Sequence, residues 1–457
     1  MKRIITREEN KKAVVIGGSN EIGAAIVQEL QSTGCPPIFI LEFTKKLQQT
    51  EKKLLSNTLF LYVMQISGYV FPLLSFPYLT RVLGADKYGV VVFSNAVMSY
   101  FQMLIEFGFI LSATNNCSIH RDDKTKLAHI TFGVIQAKMV LVLLGAVILF
   151  FCCLLVPIFQ DKKTFFALSY IGIMLSALLP DYLFRGIEQM STITYRVLFS
   201  KLVYTGLVFL LVHNDNDYLK VPVAVIGGNL IAVLLMWYEI IRKLHIQFIH
   251  VSLKETVHYL QDSSVFFLSN VAVNMYQSLN TVVLGFQFSS ASIAQYGAAN
   301  TLISSGRGLF SPISNSIYPY MIVKKNYRLV KKIILILEPL ICVACIGLFI
   351  FAESFVVLLC GNQYADSVPV FRAMLPLIAI SLPTYLLGYP VMGALGKIKI
   401  ANSSVIIASV FHLAGLFSLY FLGHLNFIAL ALLTFCTECI VFTIRTCCVL
   451  RELRKRF

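Results

Sequence analysis

From Lys53 onward the chain is a succession of long apolar stretches separated by short polar connections. Each is close to the ~20 residues that an α-helix needs to cross a hydrocarbon layer roughly 30 Å thick. A backbone in lipid has no water to satisfy its N–H and C=O groups, so only helices or a closed barrel can span it. Barrel strands alternate apolar and polar residues over about 10 positions, whereas these stretches are continuously apolar. Composition agrees, with 57% hydrophobic and 13% charged residues in 457, against about 25% charged in soluble domains. The mean hydropathy is +0.76. The sequence reads as an all-α integral membrane protein.

Twelve spans are expected, at roughly 57–80, 88–113, 128–157, 164–184, 192–212, 220–241, 264–288, 291–322, 333–359, 369–392, 400–422 and 425–450. The third is long enough to tilt or to project beyond the bilayer. The fifth is unusual in carrying Arg196 and Lys201. With the amino terminus inside, and with Arg196 and Lys201 of the fifth span counted on the cytoplasmic side, about 29 of the 38 Lys and Arg fall there and about 6 on the opposite face, while Lys138, Arg307 and Arg445 lie within spans. This bias predicts both termini in the cytoplasm. The net charge of +15 then belongs to solvated loops beside anionic lipid and calls for no nucleic-acid partner.

Of the eleven cysteines, Cys342/Cys345 and Cys436/Cys439 form C-x-x-C pairs. On a membrane helix that spacing marks one apolar face, where cysteine acts as a small hydrophobe. No second pair stands at zinc spacing. H-E-x-x-H, G-x-S-x-G and Walker motifs are absent, so neither hydrolysis nor ATP drive is signalled and no cofactor is implied. Residues 1–52 lack the apolar core of a signal peptide.

The stretch AVVIGGSNEIGAAIVQEL, Ala13 to Leu30, reads as strand, glycine turn and helix, and resembles the opening of a short-chain dehydrogenase. A second strand-like run, PPIFILE, ends in Glu42, about where a ribose-binding acid belongs. Glu21, however, stands where a glycine is usual, and only about 40 residues precede the first span. That is too little to bury a core, and no Tyr-x-x-x-Lys pair follows. Residues 1–45 are expected to be a cytoplasmic βαβ-like remnant rather than a working domain, and an NAD-dependent enzyme is the least favoured reading.

The remainder shows traces of duplication. Leu83-Gly84 followed by Tyr88-Gly89 has a counterpart in Leu284-Gly285 followed by Tyr296-Gly297, and PDYL from Pro180 has one in PTYL from Pro383. Their separations of 201 to 208 residues predict two related six-helix lobes, 46–250 and 251–457, as in many transporters.

Polar residues inside the spans form stripes. Asn95, Ser99, Gln102 and Glu106 in the second span, and Asn300, Ser304, Arg307 and Ser311 in the eighth, follow i, i+4, i+7, i+11, with an offset of 205 at every position. The seventh repeats the pattern with Asn270, Asn274, Gln277 and Thr281, and the first more weakly with Thr58, Tyr62, Gln65 and Tyr69. Such spacing holds four side chains on one helical face. For the Asn and Ser residues, hydrogen bonding between helices is an adequate account. Glu106 and Arg307 are not so explained, because charge at mid-bilayer costs at least ~2.5–3.5 kcal/mol. Their presence favours a central aqueous cavity between the lobes. Other charges have local explanations: Lys138 can snorkel, Asp181 stands beside Arg185, Glu338 precedes Pro339, and Glu438 and Arg445 share a helical face.

The stretches LLSNTLFLYVMQISGYVFPLLSFPYLTRVLGADKYG, PDYLFRGIEQM, IAQYGAANTLISSGRGLFSPISNSIYPYM and VVLLCGNQYADSVPVFRAMLPL, in that order from Leu54, cover the membrane region. They resemble the polysaccharide (O-antigen, Wzx-type) flippases of the multidrug/oligosaccharidyl-lipid/polysaccharide exporter superfamily. That resemblance implies a two-lobed bundle with spans one, two, seven and eight around a cavity, in the bacterial cytoplasmic membrane. It further implies movement of an undecaprenyl-diphosphate-linked oligosaccharide between leaflets, with polysaccharide polymerase and chain-length proteins as partners. Arg307 and Lys138 would then meet the anionic headgroup. Asn95, Ser99, Gln102, Asn274, Gln277, Asn300 and Ser304 would meet sugar hydroxyls, and Glu106 would couple an ion gradient. A multidrug cation extruder or a lipid II flippase of the same superfamily is the alternative. The segment Val251 to Ser264 has an amphipathic helical pattern suited to the inner membrane surface.

Overall fold

The computed structural model describes residues 37–454, with side-chain surroundings from residue 56 except at 268–270, 272–277 and 319. Residues 62–457 form one compact body and residues 1–61 a distinct unit. Among the described residues every regular element is a helix. The Ala13–Leu30 stretch lies outside the described residues. The strand-like run Pro36–Glu42 is corrected: from Pro37 it is helix. It leads directly into the helix formers KKLQQTEKKLL, and helix propagates cooperatively from such a neighbour.

Helix α1 (Pro37–Glu106) is broken at Gly84, whose φ of 70° and ψ of 171° lie in a region that only glycine occupies readily. Its arms, 37–83 and 85–106, contain the first and second spans, and α2 (Phe109–Ile119) prolongs the second. The third span is α3 (Lys124–Leu155), opened by Asp123, whose carboxylate accepts the Thr125 and Lys126 amides at 3.1 Å. The fourth is α4 (Lys163–Ala177) with α5 (Asp181–Gly186), interrupted at Pro180. Then come α6 (Met190–Leu211), α7 (Lys220–Tyr238) and α8 (Leu253–Gln287), the last begun by a Ser252–Glu255 capping box. The eighth span is the broken pair α9 (Ser290–Gly308) and α10 (Ser311–Lys324). Beyond it lie α11 (Tyr327–Ile350), α12 (Ala352–Cys360), α13 (Val368–Met374), α14 (Pro376–Leu386), α15 (Ile398–Phe421) and α16 (Phe427–Arg454).

Among the described residues, eight helices are long and apolar enough to cross a membrane, or nine if the bent pair 362–374 and 376–392 is one span. The difference from twelve has a chemical origin. Ser56–Ile119 registers as one helix of 64 residues although Gly84 divides it. Helices α8 and α9 fall short because they carry polar stripes, and α10 because its 14 residues are too few. At the other extreme, none of the most apolar window of α11 is buried against protein, as expected of a helix facing lipid.

The two ends of the bundle are packed differently. At the end where Gly84 turns the chain, one core joins both halves of the sequence, with Leu83, Tyr88, Val91 and Val221 packed together with Leu284, Ala298, Tyr364 and Leu430. Gly89 lies so close to α9 that a β-carbon there would stand 1.7 Å from the Ser290 carbonyl oxygen. Hydrogen bonds strap this end further: Gln363 Nε2 to the Thr80 carbonyl at 3.0 Å, Lys162 Nζ to Ser290 at 2.8 Å, and Arg81 to the Leu358 carbonyl. Two further cores are separate from it. One draws almost entirely on residues below 252 and runs from Phe93, Phe159 and Phe166, beside the contacts of this end, to Ile240 and Val251. The other is built on buried residues from Met321 upward, with Phe310, Ile313 and Ile317 packed against it.

Helix α8 belongs to both halves. Near its start, Ser263 hydrogen-bonds Ser112 at 2.6 Å and Phe267 stacks on Phe107 at 4.4 Å. Farther along, Asn280 Oδ1 accepts from His412 Nε2 at 2.9 Å and its Nδ2 donates to Thr434 at 3.1 Å.

Candidate functional site

Within the second span Ala96, Val97, Met98 and Phe101 are buried, while Asn95, Ser99 and Gln102 are exposed. The exposed stripe lines a cavity of about 210 Å³ together with Ser169 and Ser176 of α4 and Asn229 of α7. Asn229 donates to the Gly172 carbonyl at 2.8 Å, and Ser99 donates to Ser278 of α8 at 2.9 Å. Uncharged donors and acceptors among apolar walls match a polyhydroxyl group better than a bare cation. Sequence reading missed Ser169, Ser176 and Asn229. Ser169 and Ser176, seven residues apart on one face, were a findable signal, whereas a single Asn after two glycines was not.

Glu106, one turn beyond Gln102, is not a free carboxylate. Both its oxygens accept from Lys138 Nζ, at 3.1 and 3.2 Å. Lys138 does not snorkel either: its side chain is 1% exposed, against 35% for Glu106. Its ammonium lies 5.7 Å from the centre of the Tyr182 ring, a cation–π distance. The charge Glu106 brings into the membrane is therefore neutralised by the next span.

Arg307 is the charged member of the C-terminal stripe, and it too is paired. Its Nε donates to Ser381 at 2.9 Å and its Nη2 to Glu438 at 2.5 Å. The expected Glu438–Arg445 pair is thereby corrected. Arg445 is buried and donates to Ser404 at 3.2 Å and to the carbonyls of Thr384 at 2.8 Å and Ala401 at 3.4 Å. The Asp181–Arg185 pair is corrected likewise, since Asp181 accepts from Arg196 at 2.6 Å. In each case the true partner stands on another span, because helix packing brings distant residues closer than sequence neighbours that point elsewhere.

Asn300 is half-buried and Ser304 exposed on α9. The side chains of Asn270, Asn274 and Gln277 lie outside the described residues. Gln65 of the first span donates to Ser311 at 2.5 Å and accepts from Asn315 at 3.1 Å, so the first and eighth spans touch through polar groups. The network around His412 was also missed. This ring is wholly buried, with Thr437 and Asn280 each at 2.9 Å, and nothing but those distant partners marks it out.

Comparison with known proteins gives this geometry a family. The model of the family described as "Polysaccharide biosynthesis protein" matches residues 54–325. A protein of Escherichia coli (strain K12) named for O-antigen transport is 31% identical over 396 residues, 84% of this chain and 94% of that one. Among solved structures, the lipid II flippase MurJ in an inward closed conformation superposes with a TM-score of 0.67 at 15% identity, over 88% of this chain and 89% of that one. An inward-facing multidrug resistance MATE family transporter of the MOP superfamily gives 0.63 at 11% identity, over 86% and 98%. At these identities the structural likeness is one of fold. With more than half of its length under the family model, and a relative above 30% identity across most of it, the chain belongs to the polysaccharide biosynthesis protein family.

Proposed function

We propose that this protein is a flippase of the bacterial cytoplasmic membrane. It carries undecaprenyl-diphosphate-linked oligosaccharide from the cytoplasmic to the outer leaflet by alternating access, for surface-polysaccharide assembly. It is a transporter rather than an enzyme. The observation that carries the reading is the difference between the two ends. A single core and a glycine-mediated close approach join the halves at the Gly84 end, while each half also keeps a core of its own that extends away from it. The bias of Lys and Arg supports a cytoplasmic position for the end opposite Gly84, the side on which the proposed substrate is made.

In this cycle the sugars meet Asn95, Ser99, Gln102, Asn274, Gln277, Asn300 and Ser304, and the lipid tails stay in the bilayer. Arg307 reaches a phosphate by exchanging Glu438 for it, and Glu106 couples an ion gradient by exchanging Lys138 for a proton or cation. Polymerase and chain-length proteins receive the product. Reconstituted protein should flip an undecaprenyl-diphosphate oligosaccharide in liposomes, and Arg307→Ala should abolish this at unchanged protein level. Export of a cationic dye with no movement of the lipid-linked sugar overturns the reading in favour of a multidrug extruder.

A further inference from the structure

Glu338 is a titratable group that this cycle leaves unused. It stands midway along α11, about 17 Å of helix from either end, and is half-buried. Glu106, Asp181 and Glu438 each hold a cation, Lys138 at 3.1 Å, Arg196 at 2.6 Å and Arg307 at 2.5 Å. Glu338 has no ion-pair partner among the described residues. Its Oε2 is buried with no hydrogen-bond partner, and its Oε1 meets the Cys342 thiol at 4.0 Å.

Its place on the helix is inward. Ile334, Leu337, Ile341, Cys345 and Leu348 recur every three or four residues on the face of α11 that packs against the cores. Glu338, four residues from Ile334 and three from Ile341, falls on that face. Cys345 donates to the Leu375 carbonyl at 3.9 Å, while Leu337 packs with Leu382 and Leu386. Helices α11 and α14 therefore run antiparallel, and Glu338, two turns before Cys345, is level with the turn of α14 that carries Ser381. Ser381 in turn accepts from Arg307 Nε at 2.9 Å, so α14 both packs against the helix of Glu338 and holds Arg307. The other titratable groups on the packed elements lie elsewhere. Tyr385 of α14 is in electrostatic reach of Arg307, Glu438 and Tyr69, and Glu353 and Cys360 stand at the two ends of α12. Near Glu338 are the thiols of Cys342 and Cys345, on its own helix.

From a mid-membrane carboxyl with no countercharge and a buried free oxygen we infer that Glu338 is a proton-binding site of the C-terminal half. An ionised carboxylate at this depth is costly without a partner, so the group keeps its proton in this conformation. Release needs water or a cation at Oε2, and that requires α11 and α14 to part. Glu106, Asp181 and Glu438 cannot take up a proton without stranding the cations they hold, whereas Glu338 strands nothing. Parting α11 from α14 also disturbs the Ser381 contact, so the state of this proton is felt at Arg307. The site itself stands apart from the flippase reading; its use in transport rests on that reading.

The test treats the purified full chain in lipid nanodiscs with dicyclohexylcarbodiimide at neutral pH. The acid proton passes to a carbodiimide nitrogen and the carboxylate oxygen adds to the central carbon, leaving an acylurea that peptide mass spectrometry locates. Glu338 should carry the adduct, and the ion-paired Glu106, Asp181 and Glu438 should not. No adduct at Glu338, or one that forms only in acid, overturns the site. E338Q, which has the shape of the neutral acid, should melt with the wild type, and a clear fall in its Tm also overturns the site. In proteoliposomes the pH dependence of flipping, up to about tenfold per pH unit for one proton, should vanish in E338Q and persist in E338D. A wild-type profile in E338Q overturns the link between this proton and transport. An adduct at Glu338 in protein that moves no lipid-linked sugar upholds the site and overturns the flippase reading instead.

Discussion

Replacing Gly89 by alanine builds a methyl group 1.7 Å from the Ser290 carbonyl oxygen, where a favourable carbon–oxygen contact is about 3.3 Å or longer. The second span and the start of α9 must then part by about 1.6 Å. Overpacking of this kind costs about 1–3 kcal/mol. All of it falls on the conformation closed at the Gly84 end, because a conformation open there separates these two helices. The helix-propensity gain of alanine over glycine, about 1 kcal/mol, is present in both conformations and cancels. In the proposed alternating-access cycle, the ratio of outward-open to inward-open protein should therefore rise about 5–150-fold. A single reporter cysteine, Ser99→Cys in a cysteine-free background, reads this directly. Ser99 lines the cavity, and in the proposed orientation a membrane-impermeant thiol reagent added from outside reaches it only when the Gly84 end is open. Faster external labelling in Gly89→Ala is the expected result. Labelling at the wild-type rate in both Gly89→Ala and Gly89→Val, with folded protein, refutes the argument that this approach holds the end shut.

Removing Glu106 should harm stability more than removing Lys138. Glu106→Gln strands an ammonium that is 1% exposed, while Lys138→Met strands a carboxylate that is 35% exposed. The first should approach the 3–5 kcal/mol typical of a broken buried pair and the second should cost at least about 1 kcal/mol less, as measured by thermal unfolding in detergent. If Glu106 couples transport to an ion gradient, Glu106→Gln should also flatten the pH profile of flipping in proteoliposomes, and an unchanged profile excludes that role. Glu438→Gln should leave Arg307 without its countercharge and lower flipping, and the double change with Arg307→Met should regain stability but not transport. The Ser252 hydroxyl and amide hold the Glu255 carboxyl below the ordinary glutamate range. A depressed folded value means that the cap is fully present above the unfolded pKa and lost as pH falls through the folded one. Amide exchange at the start of α8 should therefore accelerate only in acid.

How much of this was legible depended on whether the signal was local. The third span, expected at 128–157 and observed at Lys124–Leu155, was announced by its apolar run. The break expected between 288 and 291 is observed between Gln287 and Ser290. The Asn95–Ser99–Gln102 stripe was readable because a helical face is a property of spacing. The charge pairs were not readable. Glu106 and Lys138 are 32 residues apart and Arg307 and Glu438 are 131 apart, so only the packing of spans decides which cation meets which carboxylate. Pairing each charge with its neighbour in sequence failed at both Asp181 and Glu438. The Pro36–Glu42 run failed for another reason, since seven apolar-rich residues carry too short a pattern to separate strand from helix.

Helix α8 is pinned at both ends to different halves, by Ser263 to Ser112 and by Asn280 to His412. If the halves rotate past one another, this rod cannot follow both of them as a straight body. The strain must gather in the helix between the pins. A substrate held against that part of α8 would be gripped by the strained element itself. Loading and unloading would then alter the stiffness of the spring between the halves, without a separate device to report that the cargo is aboard.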